Sequence, residues 1–351
     1  MKYYTTATEY NCGVDLHTRQ MYVCVMNRAG EVLVHRNIRD NDFDFFLKLV
    51  EPYRNDLTVT CESCFVCFWL ADACEDAGIN FVLAHAYYVK SIAANKHKND
   101  KEDARELAEC LRTNRIPPAY VCPRDLRPIR HLLRRRTKYV RNRAVLTGHS
   151  AREVMAAGNR PLNIQANSKE KWREGVRSSF DDPLDSFTAE AELYMIESYD
   201  RIIMQMEQRI EKYARDFQPQ DYRLLRTVPG IGKILALTIL YETIDINRFP
   251  SDKDYVSYCR LVAGTNESGG KEFGGKGRKM GNPYLKWAFM QAAVLGKRAD
   301  KNINAYYEKL TRQKGKHVAN AILATKIARA VYFMLKHKTG FSPEMMMRGR
   351  R

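Results

Sequence analysis

Three consecutive β-rich runs precede any helical pattern in this chain, and that order constrains its fold more than any other feature. Cys12-Gly-Val-Asp-Leu-His17, Met21-Tyr-Val-Cys-Val-Met26 and Glu31-Val-Leu-Val-His35 are the runs, and Asn27-Arg-Ala-Gly30 supplies turn residues between the second and third. Phe43, Phe46, Leu47 and Val50 then recur at helical spacing within 41–53. Leu57-Thr-Val-Thr-Cys-Glu62 reads as another strand, followed by a helix near 65–77 and a strand at 80–84. Such a series predicts a mixed sheet covered by helices. Its βββαβαβα order is that of an α/β RNase H-like fold.

The acids fall at telling places in that order. Asp15 lies inside the first strand in an apolar setting, and Glu62 ends the fourth. Asp100 and Asp103 open a helical stretch running to about Arg112, and their i, i+3 spacing puts both on one helix face. Four converging carboxylates cannot all ionise side by side without a cation, and hard oxygen donors favour Mg²⁺. Two such ions would clamp the attacking and leaving oxygens of a phosphodiester. The bland alternative makes Asp100 and Asp103 dipole-favoured charges at a helix start and Asp15 a turn acid. His17 and His97 flank the acids, although singly each reads as a surface or structural histidine. Cys61-x-x-Cys64-x-x-Cys67 has zinc-like local spacing but no second Cys/His pair at finger distance, so these cysteines read as small hydrophobes.

Charge sets the partner class. With 58 Lys+Arg against 41 Asp+Glu the net charge is +17, which calls for a polyanion, and nucleic acid is the first candidate. Between Arg124 and Arg143 nine cations accompany a single acid, Asp125, along an apolar stripe. This basic amphipathic helix, with Arg130, Arg134, Arg135, Arg136, Lys138 and Arg141, suits phosphate backbones. No apolar run approaches the roughly 20 residues that span a bilayer, and the N-terminus lacks a signal-peptide core. Nine cysteines without a disulfide framework point to a reducing cytosol, so the expectation is a cytoplasmic protein with no membrane partner.

A chain of 351 residues exceeds one ordinary core. Residues 158–185, rich in Asn, Ser, Pro and Gly, read as a linker or irregular excursion. Ile196, Ile203, Ile210 and Phe217 then recur every seven residues, with Tyr199, Met206 and Tyr213 three later. That is a coiled-coil seam, which either joins subunits, the favoured reading, or packs inside one chain. Pro229-Gly-Ile-Gly232 between two apolar helices resembles a helix–hairpin–helix turn, where glycines let phosphate approach and Lys233 follows. Residues 263–283 place seven glycines and four cations, Lys271, Lys276, Arg278 and Lys279, in one loop around Ser268. A serine beside glycines can reach a phosphate unobstructed, while a flexible loop with an incidental serine is the alternative.

Taken together, Gly13-Val-Asp15, Thr60-Cys-Glu62, Asn99-Asp-Lys-Glu-Asp-Ala104, Pro229-Gly-Ile-Gly232, Arg248-Phe-Pro250 and Ser268-Gly-Gly-Lys271 with Arg278 to Leu285 carry a resemblance. Over nearly its whole length the chain resembles the insertion-sequence DEDD transposases, which join an RuvC-like domain to a C-terminal serine-bearing transposase domain. Glu267 stands where that family often has a first serine, leaving Ser268 as the one carry-over. The resemblance implies an RuvC-like DEDD domain over 1–160 ending in the basic helix. A linker and coiled coil would fill 161–222, and a mainly helical transposase domain 223–351. It implies that Asp15, Glu62, Asp100 and Asp103 bind Mg²⁺ and that Ser268 attacks the scissile phosphate, forming a covalent serine–DNA intermediate. It further implies a bridge-RNA-guided recombinase acting on donor and target DNA, as a dimer assembling to a tetramer, in a prokaryotic cytoplasm at the nucleoid. The competing expectation is an RuvC-like metal-dependent nuclease that hydrolyses DNA without using Ser268.

Overall fold

In the computed structural model, residues 3–87, 99–158, 169–214, 216–262, 265–268, 271–274 and 280–347 are described. They form two compact units, Met1–Arg124 and Asp125–Arg351.

The first unit is built on a five-stranded mixed sheet. Strands β1 (Tyr10–Leu16), β2 (Gln20–Asn27) and β3 (Val32–Arg39) form an antiparallel meander, and β4 (Leu57–Glu62) and β5 (Asn80–Ala84) join in parallel in the order β3-β2-β1-β4-β5. This arrangement is compatible with the RNase H-like expectation. Helix α1 (Phe43–Val50) starts at Asp42, whose side chain accepts from the Phe45 amide, and α2 (Cys67–Asp76) connects β4 to β5. Strand alternation sorts the core: Val23 and Val25 of β2 pack with Phe46 and Leu70, whereas Cys24 and Met26 pack with Ala104 and Ala108 of α3 (Asp100–Arg112). Cys61 and Cys67 are buried in the first of these clusters as apolar residues, and every cysteine is free.

Gly13 decides how closely α3 approaches the sheet. A Cβ there would stand 2.2 Å from the Ala104 carbonyl oxygen and 2.4 Å from the Ala108 amide nitrogen. Any side chain would displace the helix whose first turn carries Asp100 and Asp103.

Among its described residues the second unit is helical apart from one antiparallel pair of short strands. Its first element, α4 (Arg127–Ala156), extends the expected basic helix to 30 residues. The expected linker contains a helix of its own, α5 (Lys169–Arg177), because Trp172 and Val176, spaced i, i+4, bury against Val154 and Leu193. Helix α6 (Pro183–Ala214) carries the heptad seam. The seam lies against α4 of the same chain: Ile196 clusters with Val154 and Trp172, and Ile210 with Leu133. Ion pairs Arg136–Glu207, Arg143–Asp200 and His149–Glu192 run in opposite directions along the two helices, so the pair is antiparallel. The intramolecular alternative therefore accounts for the buried seam positions. Ile203, 5% exposed, makes a direct test. Ile203→Asp places a charge in this interface and destabilises the folded chain by several kcal/mol, on the order of a buried unpaired polar group. Chemical denaturation measures that loss; an unaltered unfolding midpoint accompanied by dissociation would return the seam to a subunit interface.

Helices α7 (Pro219–Arg226), α8 (Lys233–Thr243), α9 (Asp252–Tyr258), α10 (Pro283–Ala299), α11 (Lys301–Lys314), α12 (Lys316–His337) and α13 (Pro343–Met347) complete the unit. Helix α12 is long and apolar enough to cross a membrane by length and composition alone, yet Leu323, Ile327, Val331 and Leu335 sit in the core of this unit. The Pro229–Gly232 turn also serves that core. Gly230, at φ +91°, has no room for a Cβ, which would lie 2.4 Å from the Ala292 carbonyl and the Gly296 amide of α10. Close helix packing is what this glycine permits here.

The glycine-rich segment expected as a loop contains two strands, β6 (Thr265–Ser268) and β7 (Lys271–Gly274), paired antiparallel from Thr265↔Gly274 to Ser268↔Lys271. Gly269-Gly270 between the strands is a hairpin-type dipeptide, a local signal outweighed in the sequence by the glycine content of the whole segment.

Candidate active site

Parallel pairing aligns the first two acids. Val14 of β1 stands opposite Cys61 of β4, and the next residues along each strand are Asp15 and Glu62. Asn99 caps α3 by accepting from the Glu102 amide, which fixes the first turn carrying Asp100 and Asp103. Asp15, His17 and Asp100 present donor atoms within 4.8 Å of one another, the one such group of His, Cys, Asp and Glu among the described residues. His17 Nε2 lies 3.0 Å from Asp15 Oδ2 and 3.5 Å from Asp100 Oδ1. Gln20 donates to Asp100 Oδ2 at 3.2 Å and is itself held by Asn37.

Burial pushes the Asp15 carboxyl above its ordinary range; His17 opposes this, and Asp103 and Asp100 add to it. Excess negative charge converging on a half-buried carboxyl is the condition that a divalent cation relieves, and the carboxylate oxygens suit a hard ion. The residues therefore fit the implied metal. Asp15 and Asp100 are gathered directly, and Asp103 is near enough to raise Asp15. Glu62 is half-buried at the end of the neighbouring strand; burial foremost pushes the Cys61 thiol up, and Cys64, Cys74, Glu62 and Asp15 add to it. The sequence weighed His17 but did not commit to it; its position two residues beyond Asp15 at a strand end was the available signal. Phe65, 84% exposed three residues after Glu62, offers a flat face on which a base can stack.

The expected nucleic-acid contacts divide sharply. Arg130 and Arg134 bind Glu242 of α8, Arg136 binds Glu207, and Lys233 binds Glu211 at 2.9 Å. These four are engaged in ion pairs within the chain. Arg135, Lys138 and Arg141 instead form an exposed arc on α4 without an ion pair among the described residues. A second basic group, not singled out by the sequence pattern, lies at the α11–α12 turn, where Arg312, Lys314, Lys316 and His317 are all exposed. Lys276, Arg278 and Lys279 lie outside the described residues, as does His97. Ser268 closes β6 with Lys271 as its backbone partner.

Changing Arg135, Lys138 and Arg141 together to alanine should lower the slope of log affinity against log salt by about 3, near one per phosphate contact. Titrations of a labelled duplex at several salt concentrations measure it. An unchanged slope would remove this arc from the interface.

Comparison with known proteins agrees with both units. A family model described as Transposase, the IS110 DEDD type, matches residues 12–155, and the Transposase IS116/IS110/IS902 family model matches residues 222–308. The transposase for insertion sequence element IS1328 of Yersinia enterocolitica is 24% identical over 349 residues, covering 94% of this chain and 98% of that protein. The transposase for insertion sequence element IS1111A of Coxiella burnetii is 22% identical, covering 92% and 88% respectively. An acid-bearing mixed sheet followed by this helical unit thus defines a DNA-cutting and rejoining enzyme, a transposase of the DEDD type. The chain belongs to the IS116/IS110/IS902 transposase family.

Proposed function

We propose that this transposase recombines donor and target DNA through a covalent serine–DNA intermediate, with Ser268 as nucleophile and Asp15, Glu62, Asp100 and Asp103 as Mg²⁺ ligands. The observation that carries the metal part is the Asp15–His17–Asp100 cluster, with Asp103 adding to its negative charge. Mg²⁺, when bound, would stabilise charge on the phosphorane and assist hydroxyl activation. Asp15 and Glu62 would orient the ligand set from rigid strand ends, and Gln20 would hold Asp100. The Ser268 oxygen would form a bond to phosphorus as the bond to the departing strand breaks, and that strand would take up the proton. Retaining the phosphoester keeps the bond energy available for rejoining.

The serine part rests on the Glu267-Ser-Gly-Gly-Lys271 motif, and its position at a strand end next to a hairpin dipeptide supports it. Guidance by a structured bridge RNA, a dimer assembling to a tetramer, and a cytoplasmic, nucleoid-associated setting follow from the family resemblance. The net charge of +17 supports two polyanionic partners. Base pairing would supply sequence choice, leaving the protein to read backbone and shape. Domain limits of 1–160, 161–222 and 223–351 belong to the same reading, although helix α4 packs with α6 and α8 inside the second compact unit.

The test incubates the protein with the RNA that copurifies with it and labelled DNA carrying the element ends. After denaturation, any DNA-linked peptide is mapped by mass spectrometry. A peptide bearing DNA on Ser268 is expected; cleavage without any linkage overturns the covalent reading.

A further inference from the structure

Glu242 is the most deeply buried acid among the described residues, 1% exposed in the last turn of α8. Burial alone would push its carboxyl up, but Arg134, Arg130 and a hydrogen bond from Asn282 hold it below the usual range. Arg134 donates through Nε and Nη2, at 2.6 and 2.8 Å, and Arg130 through Nε at 3.0 Å. The Asn282 carboxamide donates to Oε2 at 2.7 Å. Replacing such a network by apolar residues is often no worse for stability, so stability alone gives no reason for it.

Its location supplies one. Asn282 is the N-cap of α10, accepting from the Tyr284 and Leu285 amides, and it is the residue at which the chain returns from the β6–β7 strand pair. Its own amide donates to the Tyr258 carbonyl at 2.6 Å, and Arg260 donates to the Gly281 carbonyl at 2.6 Å. Tyr258 and Arg260 precede the excursion and Gly281 and Asn282 follow it, so these bonds close its neck. Gly281, at φ +85°, permits the closure, since a Cβ would lie 2.4 Å from the Tyr258 oxygen. Arg134 also covers the Tyr284 ring at 4.6 Å.

We propose that Glu242 is a positioning residue for the strand pair carrying Ser268: gripped by Arg130 and Arg134, it fixes Asn282 and thereby the neck from which β6 and β7 project. The inference rests on the reading of Ser268 as nucleophile. Arg130 and Arg134 then contribute to the reaction through the strand pair carrying Ser268, not through phosphate contacts.

Asn282→Asp keeps an acceptor for the helix cap but replaces the donor to Glu242 with a repelling carboxylate. Glu242→Gln combined with Asn282→Asp keeps one carboxylate and one carboxamide across the same gap with their places exchanged. Hydrogen exchange on the full chain reads the neck without any substrate. In Asn282→Asp, amides of 265–274 should exchange at least about tenfold faster while the centres of α8 and α10 keep their protection, and the double substitution should restore the wild-type rate. Single-turnover adduct formation at saturating labelled DNA should fall about 100-fold in Asn282→Asp with unchanged affinity, the scale of a small misplacement, and recover in the double variant. Unchanged exchange, exchange raised equally throughout α8 and α10, or an unaltered adduct rate overturns the proposal. If the wild type links DNA to another residue, the nucleophile reading fails, while the exchange result still decides whether Glu242 holds the neck.

Discussion

Ser268→Ala should abolish strand exchange while nucleic-acid affinity barely changes. The substitution removes one oxygen atom. Affinity in a chain of net charge +17 is dominated by backbone contacts to phosphates, to which a single hydroxyl adds little. The chemical step has no substitute, because Glu267 occupies the neighbouring position where a second serine could have stood. Loss of a covalent nucleophile lowers the rate by roughly 10⁴-fold or more in enzymes that depend on one. Ser268→Cys should retain weak attack, since a thiolate is nucleophilic but differs in bond length and angle. Denaturing gels of labelled DNA after single-turnover incubation measure both variants. Full recombination by the alanine variant would reject Ser268 as the nucleophile, and undiminished cutting without rejoining would favour hydrolysis at the carboxylates alone.

Asp15→Asn should move activity and stability in opposite directions. Asp15 is the carboxyl that the fold raises through burial and through Asp103 and Asp100. A raised folded value means that the ionised form is disfavoured in the fold, so neutralising it stabilises the metal-free chain at neutral pH. If Asp15 holds Mg²⁺ as proposed, the same change removes a ligand, and cleavage should fall about 1,000-fold, the upper range for losing one electrostatic stabiliser. A chain that binds Mg²⁺ only when folded gains thermal stability from it, so wild type should melt higher in Mg²⁺ and Asp15→Asn should not respond. Asp103→Asn should lose cleavage in the same way. Cleavage by wild type in excess chelator, or an undiminished Mg²⁺ response in Asp15→Asn, would defeat the metal assignment.

The sheet was legible in advance because its signals are local. Period-two apolar runs and the Asn27–Gly30 turn require no distant partner, and β1, β2, β4 and β5 lie close to where the runs placed them. The acids were legible for the same reason: Asp15 and Glu62 mark strands, and Asp100 and Asp103 share a helix face. The strand pair carrying Ser268 is only half legible in the sequence, because the glycine content of 263–283 points to a loop.

What the sequence determined by itself was therefore the order of the N-terminal sheet, the placement of the acids on its strands and on α3, and the excess of positive charge. Tertiary structure alone decided where that charge remains available. Counted along the chain, Arg130, Arg134 and Arg136 stand in a segment almost without acids. Their partners, Glu242 and Glu207, arrive 112, 108 and 71 residues later on helices that fold back against α4. Likewise, the heptad seam specified an apolar face without specifying whose surface would cover it, and α4 of the same chain does. A helix periodicity encodes the need for a partner; only packing, which brings residues far apart in sequence to within contact, selects which partner meets it.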